Sequence, residues 1–130
     1  KLSGTVIETG SRFFLDSRRK HQPTLISPAD YERRQRLGFL KHCVDFAANL
    51  SPHCASFWSG SPTDDAFPSD LMSRLVDGCK QLADYAAQKN VRLAFEPEPG
   101  MFIDTVEKFA ELHGRVNHPN FGLTVDIGHL

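Results

Sequence analysis

The sequence predicts an α/β fold of parallel strands joined by helical crossovers. Three observations carry that prediction. Short apolar runs that end in Gly, Pro or polar residues alternate with longer segments of helical period; the alternation keeps one order throughout; and no repeat, low-complexity tract or interdomain linker interrupts it. Such alternation is the mark of strands whose connections return along the face of a parallel sheet. At 130 residues the chain reads as one domain spanning 1–130.

The strand candidates are GTVIETG (4–10), HCASFWSG (53–60), VRLAFEPEPG (91–100) and FGLTVDIGHL (121–130), with strand proper expected over 4–10, 53–59, 91–96 and 121–126. Between the first two a helix is expected to open at SPAD, with Ser27 capping, Pro28 at the first helical position and Asp30 in the capping-box place. Its stripe is Leu37, Leu40, Val44 and Ala47. A second helix follows Pro68 with Ser69 as cap and Leu71, Leu75, Gly78, Leu82 and Tyr85 or Ala86 on one face. The third starts at DTVE, Asp104 capping and Glu107 reaching back, with Val106, Phe109 or Ala110, and His113 as its stripe. Asn90, Asn117 and Asn120 fall where the second and third helices should stop. Adjacent strands should pair parallel in sequence order, with right-handed crossovers.

Composition narrows the function classes. Fifteen Lys plus Arg against sixteen Asp plus Glu give a formal net charge of -1, so there is no global pull toward nucleic acid or anionic lipid. The longest apolar runs are about five residues, far short of a membrane span, and KLSGTVIETG lacks the apolar centre of a signal peptide. A cytoplasmic protein with no membrane partner is expected. Cys43, Cys54 and Cys79 fit neither a disulfide framework nor a zinc ribbon and read as small apolar side chains.

Chemistry concentrates at strand ends. Alternation puts Ala94 and Glu96 on one face of their strand, and Leu93 and Phe95 on the other. In GLTVD it puts Gly122, Thr124 and Asp126 together, opposite Leu123 and Val125. Two strands thus deliver small residues and then a carboxylate toward one interior, where a divalent metal would offset their burial. The alternative is that each carboxylate caps a helix or pairs with an arginine. Gly128 lets the chain turn so that His129 can reach the same site, or bond a backbone carbonyl instead. Glu8 and Glu98 are further strand-end carboxylates. The loop SRFFLDSRRKHQPT sets Arg12, Arg18, Arg19, Lys20 and His21 around Phe13, Phe14 and Leu15, either to grip a polyhydroxyl or anionic substrate or as a solvated face. Trp58 could stack on a sugar ring or close the rim.

With Glu96, Asp126 and His129 assembled, the chain resembles the xylose isomerase-like (β/α)8 barrels. The matching segments are VRLAFEPEPG, a strand ending in Glu, and FGLTVDIGHL, the next strand ending in Asp-x-x-His. The resemblance implies a partial TIM barrel of about four parallel strands and three helices, a fragment, because such barrels typically need about 250 residues and the family's later His and Glu have no counterpart here. It also implies a divalent metal (Mn, Mg, Co or Zn), with Glu96 as ligand and base, Asp126 as ligand, and His129 contacting substrate oxygen or, as in the family's endonuclease branch, binding the metal itself. Arg12, Lys20, His21, Trp58, Glu98 and His129 would hold a small sugar or sugar phosphate. The implied activity is isomerisation or epimerisation by proton transfer through an enediolate. The family's abasic-site endonuclease branch and a non-catalytic sugar-binding fragment stay open as alternatives, although nucleic acid is not expected. A homo-oligomer is open for the full-length chain.

Overall fold

Among the described residues four short strands pair in sequence order, every neighbour parallel. The computed structural model describes residues 6–50 and 54–124. Among these the order is β1 (Val6–Glu8), α1 (Asp30–Ala48), β2 (Cys54–Phe57), α2 (Pro68–Gln88), β3 (Arg92–Phe95), α3 (Val106–Val116) and β4 (Phe121–Leu123). Within the described residues the strands end earlier than expected, residues 4, 5, 53, 125 and 126 lying outside them, and their sequence-order adjacency is as the alternation requires. Among the described residues no helix is long and apolar enough to cross a membrane.

Register explains which residues face where. Ala55, Leu93 and Phe121 align, as do Ser56, Ala94 and Gly122. The large residues pack under the helices: Phe57, Phe95, Phe109 and Phe121 form one aromatic cluster with ring centroids 5.2 to 6.2 Å apart, joined by Leu75, Leu82 and Leu112. The small residues line the other face. There the Ser56 hydroxyl donates to the Thr124 hydroxyl at 3.2 Å, although β3 lies between their strands. In a flat sheet two strands apart means roughly 9–10 Å, so this face is concave, and the small Ala94 side chain leaves the gap the hydroxyls close.

The helices sit where expected, but each begins on a different residue. Ser27 does not cap α1; its hydroxyl accepts from Thr24 N–H at 2.8 Å, closing a buried turn, and Ala29 occupies the cap position without a side-chain bond. Pro28 therefore precedes the helix. Pro68, which lacks an N–H and has helical φ, is itself the first residue of α2, so Ser69 lies inside the helix and Phe67 stands at the cap. In α3 the cap is Thr105, extended at φ -134°, whose hydroxyl accepts from Lys108 N–H at 3.2 Å. Asp104 instead pairs with Lys108 Nζ at 2.8 Å.

The α3 stripe is also displaced: Phe109, Leu112 and Val116 are buried, whereas Val106 and His113 are exposed. His113 still lies over the Phe121 ring at 6.1 Å. Asn90 and Asn117 end α2 and α3 in the left-handed region, at φ 58° and 46°, a conformation asparagine tolerates.

Candidate active site

The hydrogen-bond ladder runs one rung past the strands, and that rung builds the site. Glu96 N–H donates to the Phe57 carbonyl and Thr124 N–H to the Phe95 carbonyl, both at 2.8 Å. Glu96 is thus fixed directly beyond Phe95, level with Trp58 beyond Phe57 and Thr124 beyond Leu123. It is 8% exposed. A carboxylate held that far from water needs donors or a cation around it.

Three loops close over the same edge and are stitched to one another. Gln22 Nε2 donates to the Ser61 carbonyl at 3.3 Å, and the Ser61 hydroxyl to the Gly100 carbonyl at 2.9 Å. Phe102 N–H donates to the Gly60 carbonyl at 3.0 Å, and Ile103 N–H to the Ser59 hydroxyl at 3.0 Å. Gly60, at φ +80°, backs onto Thr24 so closely that no Cβ would fit. The loops after β1, β2 and β3 therefore form one continuous rim.

His21 stands in that rim at φ 64°, its N–H bonded to the Arg12 carbonyl at 2.6 Å. Its ring meets Trp58 edge-on at 5.1 Å. Burial pushes the imidazole below its ordinary pKa; the Gly10 carbonyl opposes this, and the charges of Lys20, Arg36 and Arg12 reinforce it. Burial thus favours the neutral ring, which can accept a hydrogen bond.

Of the residues singled out in the sequence, His21 and Trp58 come together beside the Glu96 rung. Trp58 is 8% exposed, with the Arg36 guanidinium 4.6 Å over its ring. That face of the ring is taken by the guanidinium. Arg12 and Lys20 follow β1 on the same edge as exposed side chains. The basic run is not all available to substrate, because Arg19 binds Asp16 at 2.7 Å and Glu32 at 2.8 Å. Glu98 is half-buried at the start of the loop after β3, its N–H on the Ile103 carbonyl at 3.1 Å. Glu8 aligns with Ser56 in β1. Asp126 and His129 lie outside the described residues.

No group of three metal-ligating side chains occurs among the described residues. The one expected ligand within them, Glu96, fits a hard divalent cation by donor type, burial and position at a strand end. Sequence reasoning missed Arg36, Ser56 and Gln22. Arg36 had a readable signal: continuing the α1 stripe backward from Val44 and Leu40 by four residues lands on it.

A family model described as xylose isomerase-like TIM barrel matches residues 5–130. A search of curated proteins returned no match. Among solved structures, AP endonuclease family 2 from Brucella melitensis superposes with a TM-score of 0.73 at 21% identity, over 98% of this chain and 49% of its own. D-allulose 3-epimerase from Methylomonas sp. gives 0.71 at 21% identity, over 82% and 39%. The IolI protein with a bound zinc atom gives 0.68 at 20% identity, over 77% and 37%. The chain thus spans half or less of each neighbour and shares with them part of a TIM barrel.

Proposed function

The chain belongs to the xylose isomerase-like TIM barrel family, and from that membership we propose that it carries the first half of a metal-dependent sugar isomerase or epimerase site. On this reading residues 1–130 form part of one barrel domain, and the remaining strands supply further ligands. The observation that carries it is the buried Glu96 carboxylate on the rung beyond β3. The epimerase and the zinc-bound protein among the neighbours support it.

Glu96 and Asp126 would hold the divalent ion, be it Mn, Mg, Co or Zn. When bound, the ion supplies Lewis-acid stabilisation for negative charge developing on a substrate oxygen. The chain's own residues do the rest. Glu96 takes the proton from the carbon beside the carbonyl, giving an enediolate, and a carboxylate returns a proton at the neighbouring carbon or the opposite face. His129 donates to a substrate hydroxyl or carbonyl oxygen. Neutral His21, with Arg12, Lys20 and Glu98, binds the hydroxyls of the small sugar or sugar phosphate, and Trp58 keeps water out from behind the rim.

The test is turnover of a panel of ketoses and their phosphates by the full-length protein with Mn²⁺. Glu96→Gln should abolish turnover and leave the circular dichroism spectrum unchanged. Wild-type turnover in that variant would refute the assignment. The AP endonuclease neighbour favours a second reading, metal-dependent phosphodiester hydrolysis. Cleavage of abasic DNA with no action on any sugar would establish it instead, although the net charge of -1 gives no global pull toward DNA.

A further inference from the structure

Arg36 is 2% exposed in the second turn of α1. Among the described residues no carboxylate pairs with it, and its polar contacts are long: the Ser11 hydroxyl at 3.4 Å and the Thr9 carbonyl at 3.5 Å. Burial lowers its pKa to about 10. A charge so placed is costly, and an apolar side chain of similar volume would ordinarily be as good or better for stability. What the guanidinium offers is shape: a rigid plane with two faces and an edge of donors.

Each part of that plane meets something at the rim. Trp58 lies 4.6 Å and Phe39 5.3 Å from the guanidinium carbon. The donor edge turns to Thr9 and Ser11, where β1 ends and the loop bearing His21 begins. Thr9 in turn donates its hydroxyl to the Ser56 carbonyl at 2.9 Å, tying the end of β1 to β2. Trp58 carries His21 against its ring. The chain of contacts therefore runs from helix α1 through one guanidinium to both rim aromatics.

We propose that Arg36 is a positioning residue that locks Trp58, and through it His21, at the rim of the sugar site. The proposal rests on the reading of this edge as the site, yet its geometry stands without substrate or metal. Lysine keeps the charge but not the plane, and methionine keeps only the stem, so both variants should free the indole.

Trp58 is the single tryptophan of residues 1–130, and in the full-length protein the difference from a Trp58→Phe reference isolates its fluorescence. Arg36→Met and Arg36→Lys are compared with wild type by acrylamide quenching. In parallel, the ring-current shift of the His21 ring protons is read by NMR, with amide exchange in α2 as the control for global loosening. The expected result is about a threefold rise in the quenching constant, as loss of a stacked cation implies, and loss of the His21 shift, with exchange in α2 unchanged. Wild-type quenching and a retained shift in either folded variant would overturn the proposal. If the Met variant does not fold, the Lys variant decides on the same two readings. Because no sugar or metal is present, failure here leaves the Glu96 test untouched, and failure of that test leaves this one untouched.

Discussion

At Gly60 a Cβ would sit 2.3 Å from Thr24 Cγ2, and the backbone φ of +80° is one that side chains other than glycine adopt only under strain. Both penalties act at the seam between the loops after β1 and β2, so Gly60→Ala should cost about 2–4 kcal/mol of stability, read as a lower urea midpoint. His21 gives a pH dependence with a definite sign. Its folded pKa lies below the ordinary 6.5 because of burial first, so the unfolded chain takes up the proton more readily. The rim's stability is then complete above about pH 6.5 and is lost as pH falls through the folded value. Urea midpoints at pH 7.5 and 5.5 should differ more in wild type than in His21→Phe, and an equal difference in the two would contradict this. At this scale the sequence showed which side chains could act, but not which were taken. Arg19 read as a potential grip on substrate, and only the fold brings Glu32 to it.

The elements were legible in kind and order, because strand and helix periods differ and the Asn stops are local. Their first residues were not, because several capping residue types stand side by side and backbone dihedrals decide among them. Thr105 and Asp104 show the difference. Thr105→Ala should destabilise by about 1 kcal/mol, the usual cost of a lost cap. Asp104→Ala removes an exposed ion pair with Lys108, so its effect should be smaller and vanish in high salt. Thermal melts at low and high ionic strength check both. The displaced α3 stripe has a similar origin: a pattern counted forward from Val106 slips by one position against Phe109, Leu112 and Val116, and only packing on Phe95 and Phe121 fixes the face.

Across the molecule the parallel sheet order follows from the alternation, and the concave face from small residues at Ser56, Ala94 and Gly122. The candidate site was only partly legible: strand alternation put Glu96 on the face of Ala94, whereas the packing of Trp58 depended on Arg36 reaching over from α1. The outer strands bear exposed apolar side chains, Val6 at 45% and Leu123 at 38%, and Phe46 on α1 is 61% exposed. Such edges invite pairing. A polypeptide of residues 1–130 alone should therefore self-associate with rising concentration in sedimentation velocity, and Leu123→Lys should shift it toward monomer. If Glu96 is both metal ligand and base, Mn²⁺ titration of the full-length protein followed by electron paramagnetic resonance reads the first of these roles directly. Wild type should bind the ion stoichiometrically, and Glu96→Gln should bind it about tenfold more weakly or worse. Equal affinity in the two would contradict that role.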